Sequence, residues 1–204
     1  MGAGESRGKS GSYHHGDLRR ALLDAALEMV RTEGAAQVAL REVARRAGVS
    51  HTAPYRHFES REALLAAVAE EGMHRLEAAL RAAADAAGGP IEALQATGVA
   101  YVTFALEHPA HFRVMFGPGG SGACYPELVA ASQGAFGVLV STLEACVAAG
   151  VVVERPAAEL ALTAWATVHG LAQLLLDGLL REAGEPRRLA EMVTARLLAG
   201  LRPD

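Results

Sequence analysis

The segment Arg41-Glu42-Val43-Ala44-Arg45-Arg46-Ala47-Gly48-Val49-Ser50 constrains the fold of this chain more tightly than any other. Leu40, Val43, Ala44 and Ala47 recur at helical spacing up to Gly48, and a second short helix is expected from near Ser50 to Phe58. Two short helices joined by about three residues cannot lie antiparallel, so they must cross at a steep angle. Such a corner needs a small residue where the helices meet, a residue that adopts positive φ cheaply, and an apolar plug behind the turn. Ala44, Gly48 and Val49 supply the three. Ser50 is placed to cap the following helix by accepting from its first N–H groups.

The rest of the chain reads as helices separated by glycine and proline. The first is expected from Asp17, its cap, through Leu18, Leu22, Ala26, Met29 and Val30 to Gly34. After the corner, Ser60-x-x-Ala63 opens a long run to about Ala87, which Gly88-Gly89-Pro90 ends. Helices then follow over about 91–107, a short stretch through Phe116, 126–149, 156–182 and 186–201, with a glycine-rich loop from Gly117 to Gly122. Aromatic residues make up only 5%, and β-branched runs are nearly confined to Val151-Val152-Val153, so the fold class is all-α. The expected organisation is a flexible basic arm with Arg7 and Lys9 over residues 1–13, a three-helix helix-turn-helix domain over 14–60, and a larger helical domain over 61–204.

Charge divides along the same line. Residues 1–60 hold 9 Lys and Arg against 7 Asp and Glu, plus four His, whereas the remainder holds 10 against 16. A mildly basic front on an acidic body suits a module facing nucleic acid. No Gly-x-Ser-x-Gly, Walker or dinucleotide glycine pattern occurs, and no paired acids stand at a spacing that suggests proton transfer, so catalysis and a cofactor are not expected. His108 with His111, and His14 with His15, could each offer two metal ligands, but no second cluster with a carboxylate or thiolate partner lies nearby in sequence, and no metal site is assigned. The N-terminal stretch has no apolar leader, and no uncharged apolar stretch reaches the ~18 residues of a membrane span. The expectation is a cytoplasmic protein, off the membrane, in which Cys124 and Cys146 are reduced thiols.

The second helix of the corner would present His51, Thr52, Ala53, Arg56 and His57, with Tyr55 to one side, all short or planar hydrogen-bonding types able to enter a major groove. Together with Tyr55-Arg56-His57-Phe58 and Arg61-Glu62-Ala63-Leu64, the corner resembles the TetR/AcrR family of transcriptional regulators over about residues 14–65. The resemblance implies a three-helix DNA-binding domain on a helical ligand-binding and dimerisation domain, with the ligand releasing DNA, most often a repressor's mode of action. Carried over position by position, His51, Thr52, Ala53, Arg56 and His57 would face bases or nearby phosphates, while Tyr55 and Arg61 would hold the phosphate backbone. Two positions depart from the family pattern. Ala39 replaces a frequent Ser or Thr and removes a cap worth about 1 kcal/mol. Pro54 replaces a commoner aliphatic residue, which suggests that the recognition helix begins late.

The back half resembles a branch of that family with a Trp-x-x-x-His-Gly signature, here Trp165, His169 and Gly170, accompanied by the stretch from His108 to Phe116. Trp165 and His169 share a helix face, and Gly170 would let another helix approach. A mostly apolar effector is expected among Tyr101, Phe104, Phe112, Met115, Trp165 and His169, with His169 and Gln173 as polar anchors. The last two helices carry Leu160, Leu162, Leu171, Leu174, Leu175, Leu179, Leu189, Val193, Leu197 and Leu198, enough apolar surface to imply a four-helix interface in a homodimer. Double-stranded DNA, read as an inverted repeat, and a small molecule are the other expected partners.

Overall fold

The computed structural model describes residues 15–117 and 125–202. The arm over 1–13, with Arg7 and Lys9, lies outside the described residues, as do His14, Cys124 and most of the glycine-rich loop. Eight α-helices are present among the described residues: α1 (His15–Glu33), α2 (Leu40–Arg46), α3 (Arg61–Asp85), α4 (Pro90–Glu107), α5 (Pro109–Phe116), α6 (Pro126–Ala148), α7 (Ala157–Leu176) and α8 (Pro186–Leu201). Short 3₁₀ turns occupy Ala35–Gln37 and Ala53–Arg56. The protein is all-α, with an N-terminal helix-turn-helix and a C-terminal helical body.

Proline begins α4, α5, α6 and α8, where its missing donor is not needed and its fixed φ suits the first turn. α3 is capped as its sequence requires, since the Ser60 side chain accepts from Ala63 N–H at 3.0 Å. Two boundaries differ from expectation. α1 begins by His15, which puts Asp17 inside its first turn instead of at its cap. α7 stops at Leu176, six residues before Glu182. There Gly178 takes φ 71, and Leu179 and Gly178 donate to the carbonyls of Leu174 and Leu175, both at 3.0 Å. That is a Schellman stop, which a glycine at this place permits and which periodicity alone does not reveal.

α3 is the axis of the molecule and packs against α1, α4, α5 and α6. The principal apolar core is continuous from Leu22 and Val43 in the front, through Leu65, Val68 and Leu76 of α3, to Phe112, Val168 and Ala190 in the body. A second cluster around Leu143, Cys146, Val152 and Leu160 closes the far end, where Val153 N–H donates to Leu201 O at 2.8 Å. Cys146 is a buried thiol in this cluster.

α6 is long and apolar enough to cross a membrane by length and composition. It instead lies along α3, α4 and α7 and puts Leu128, Ala131, Ala135, Val138 and Leu143 into the core. Close helix contacts fall at Gly98, where a Cβ would stand 2.7 Å from Thr194 Cγ2, and not at Gly170, where it would meet nothing within 4 Å. Gly170 therefore packs against no helix among the described residues.

Candidate functional site

The turn after α2 is closed by backbone geometry that only a glycine adopts cheaply. Gly48 has φ 69, Val49 N–H donates to Ala44 O at 3.0 Å, and Gly48 N–H donates to Arg45 O at 3.2 Å. Ala44 and Val43 are fully buried beneath it, and Val49 is partly buried against the same core. Ala39 precedes α2 without a side-chain cap, as its methyl group dictates.

The element beyond the turn is shorter than a recognition helix from Ser50 to Phe58 would be. An α-helix beginning at Ser50 needs an N–H at position 54 for the Ser50 carbonyl, and Pro54 has none. Ala53 N–H takes that carbonyl instead, at 3.0 Å, and a 3₁₀ turn follows over Ala53–Arg56. Ser50 Oγ pairs with Thr52 Oγ1 at 3.2 Å and caps no backbone N–H. Pro54 is buried, which points its neighbours outward.

His51, Thr52, Tyr55 and Arg56 are exposed on this edge, Tyr55 by 55%, and Ala53 is half-buried among them. His57 is not with them. It is half-buried, with its ring 6.4 Å from that of Phe58, and it lines a cleft with Arg19, Arg20 and Leu23 of α1. Arg61 is turned inward as well. Its Nε donates to Val38 O at 2.8 Å and its Nη2 to Ala35 O at 2.7 Å, which ties the connection between α1 and α2 to the start of α3.

Most cations of the front are already paired. Arg20 bridges Asp24 and Glu71, Arg31 holds Glu28, Arg45 holds Glu42, and Arg46 spans Glu42 and Glu33. The two arginines hold the Glu42 carboxyl down at about 2. Arg41 and Arg56, both exposed, have no hydrogen bond or ion pair among the described residues. Arg41 was visible in the motif but not singled out, because pairing cannot be read from spacing when several arginines compete for one glutamate.

In the body, α3, α4, α5, α6 and α7 line a partly open cavity of about 520 Å³. Of the expected residues, Tyr101, Met115 and Trp165 line it. Phe104 borders a different groove, beside His108 and Arg75. Phe112 is 1% exposed and belongs to the core, with its ring stacked on His169 at 5.4 Å. Gln173 is exposed and donates to Asp177 at 3.1 Å, on the outer side of α7. The α3 and α6 contributions, Met73, Leu76, Leu80, Ser132, Gln133 and Phe136, were not foreseen. Ser132-Gln133 is a polar pair in the apolar first half of α6, and that irregularity was the available signal.

His169 stands behind the wall. Its Nδ1 is 2.8 Å from Tyr101 Oη, which also accepts from Trp165 Nε1 at 3.2 Å. Burial raises the Tyr101 hydroxyl well above its ordinary value and lowers the His169 imidazole, so both stay neutral near pH 7. No lining residue of the cavity carries a charge.

Comparison with known proteins agrees with both halves. Residues 22–68 match the family of bacterial regulatory proteins of the tetR type, and residues 94–197 match the tetracyclin repressor-like C-terminal domain. The HTH-type transcriptional regulator BetI of Rhizobium meliloti (strain 1021) is 38% identical over 78 residues, 38% of this chain and 38% of BetI, so the match spans well under two thirds of that relative. A protein of unknown function from Rhodococcus sp. RHA1 superposes with a TM-score of 0.84 at 36% identity, covering 95% of this chain and 100% of that one. A bacterial regulatory protein of the tetR family from Rhodococcus RHA1 shares the fold at a TM-score of 0.72 and 24% identity, covering 92% of this chain and 98% of its own. With a DNA-binding module in front and a repressor-like domain matched across half of its length, this chain belongs to the TetR family of transcription regulators.

Proposed function

We propose that the protein is a cytoplasmic repressor that binds an inverted-repeat operator as a homodimer and leaves it when a small, mostly apolar molecule enters the body. The observation that carries this reading is the span of α3. Its capped start follows the exposed edge His51-Thr52-Tyr55-Arg56, and its middle supplies Met73, Leu76 and Leu80 to the cavity wall. One rigid element thus touches both the reader and the pocket.

In this reading residues 14–60 read DNA, and residues 61–204 bind the effector and the second subunit. Thr52 and Arg56 reach base edges with His51 and Ala53 beside them, Tyr55 and Arg41 meet phosphates, and Arg61 positions the module from behind. His57 contributes by packing toward α1. Dimerisation is supported by one outer face of α7, where Leu162, Ala166, Gly170 and Leu174 are all exposed, next to exposed Met192 of α8. Leu160, Leu171 and Leu198 are buried within the chain and leave the interface to these others. The small residues of that face admit a close approach by a second copy, and an isologous pairing sets two readers on symmetric half-sites.

Footprinting on the protein's own upstream DNA tests the proposal. A protected inverted repeat, with a dimer by sedimentation at micromolar concentration, is expected. A monomer, or a footprint without dyad symmetry, overturns it. Trp165→Ala should abolish release by effector while operator binding persists; equal loss of folding and DNA binding would assign Trp165 to the core.

A further inference from the structure

The cavity in the body holds polar atoms, and the direction in which each is already used restricts what can bind there. An indole N–H can only donate, so Trp165 Nε1 gives its hydrogen to Tyr101 Oη. The Tyr101 hydroxyl proton then has one acceptor among the described residues, His169 Nδ1 at 2.8 Å. The opposite tautomer, with the imidazole donating from Nδ1, would free that O–H to donate into the cavity. Ser132 Oγ, on the facing helix, donates to Leu128 O at 2.8 Å. With His169 accepting at Nδ1, each of these three donors is engaged inside the protein, whereas the Tyr101 and Ser132 oxygens keep acceptor capacity. Gln133, on the exposed side of α6, is the one other polar lining residue. A second, apolar cavity of about 40 Å³ shares Leu80, Tyr101, Leu139 and Trp165 with the first and adds no donor that faces a ligand's polar end.

We propose that His169 accepts at Nδ1 and that this cavity therefore recognises a neutral apolar molecule through a hydroxyl group, an alcohol or phenol, and discriminates against the corresponding ketone and carboxylate. The proposal rests on the reading of the cavity as the effector site. A hydroxyl can donate to Tyr101 Oη or Ser132 Oγ. Apart from the exposed Gln133 amide, a carbonyl oxygen finds no donor among the lining residues and loses most of its hydration without replacement, and a carboxylate meets no cation as well.

Trp165 is the single tryptophan of the chain and lies in the wall, so its fluorescence reports occupancy directly. Cyclododecanol, cyclododecanone and cyclododecanecarboxylate serve as probes of one shape, titrated into the full-length protein. The alcohol is expected to bind on the order of tenfold more tightly than the ketone, and the carboxylate more weakly than either. Tyr101→Phe removes the acceptor of the indole N–H and leaves that donor facing the cavity, so the preference should shift toward the ketone by a similar factor. That reversal is a gain that misfolding cannot mimic. Equal or tighter binding of ketone or acid by the unaltered protein overturns the hydroxyl preference and leaves the cavity as the effector site. Absence of binding by all three probes in both proteins overturns the hydroxyl preference and the effector reading together.

Discussion

Around Gly48 the side chains offered to a partner stand outside the core. Tyr55 is 55% exposed, Arg56 and Arg41 reach solvent, and the residues that hold them, Val43, Ala44 and Pro54, lie beneath without touching what they would touch. Around Tyr101 the relation is reversed. Of the residues that line the cavity, Met73, Leu76, Leu80 and Met115 are themselves buried core, and polar atoms connect from Trp165 through Tyr101 to His169. In the front, binding and stability reside in different residues. In the body they overlap at Met73, Leu76, Leu80 and Met115, so an occupant of the cavity would act directly on the packing that holds α3.

The comparison breaks most visibly at Phe112. This ring is 1% exposed and contacts Tyr101, Phe116 and His169 at centroid distances of 5.9, 4.8 and 5.4 Å, yet it lines no cavity wall. Phe112→Ala should lower unfolding stability by about 3–5 kcal/mol in urea, with a parallel loss of effector response. A loss below about 1 kcal/mol would mean that the body repacks freely and that its function is separable after all.

Arg56→Ala carries the opposite expectation. Operator affinity should fall by about 1–3 kcal/mol and preference should relax at one symmetric pair of positions, with the thermal midpoint unchanged. Arg41→Ala should weaken all DNA alike and reduce the slope of log affinity against log salt by about one. If Arg56→Ala behaves like Arg41→Ala on every sequence, Arg56 is a phosphate contact, in keeping with the short 3₁₀ turn that replaces a full recognition helix.

How far the sequence foretold these regions follows the same division. The corner at Ala44-Gly48-Val49, the cap at Ser60 and the proline starts of α4, α5, α6 and α8 were legible because each is set by local chemistry within a few residues. Pro54 announced a late start, although not that the helix would shrink to a single 3₁₀ turn. The cavity was legible only in part. Tyr101, Met115 and Trp165 were found, but Phe112, His169 and Gln173 share their helices and differ from them by rotation about the axis, which pairing with distant helices decides. The inward bonds of Arg61 are not legible in the sequence, because its partners, Ala35 O and Val38 O, are carbonyls more than twenty residues away.

Arg61 sharpens the comparison, since it belongs to the front but behaves like a residue of the body. Charge-assisted bonds to two carbonyls from a side chain 31% exposed should give Arg61→Ala a stability loss of about 1 kcal/mol. DNA affinity should fall on specific and non-specific sequences together, and the salt slope should stay as it was. A slope reduced by about one with stability intact would return Arg61 to the phosphate backbone.

The smallest effect lies in the pH dependence, and it tests whether the two regions are joined electrostatically. His111 of α5 is 4% exposed, 3.8 Å from Glu71 Oε1, and Glu71 in turn holds Arg20 of α1 at 2.7 Å and Arg75 at 2.6 Å. Burial lowers the His111 imidazole, aided by Arg75, His108 and Arg20 and opposed by Glu71, and burial lowers His169 likewise. Both histidines therefore bind a proton less readily folded than unfolded, where the ordinary value is 6.5. Below that value the unfolded chain takes up more protons, so stability is complete above about pH 6.5 and declines as pH falls through it. The carboxylates Asp24, Glu42 and Glu71, held below their ordinary values chiefly by arginine partners, keep their contribution until well below pH 5. Thermal midpoints should thus fall between pH 7.5 and 5.5, and His111→Gln should flatten part of that fall and His169→Gln another part. If His111→Gln leaves the slope unchanged, the contact between α5 and α1 is held by packing alone, and the two regions communicate through α3 without help from the Glu71 cluster.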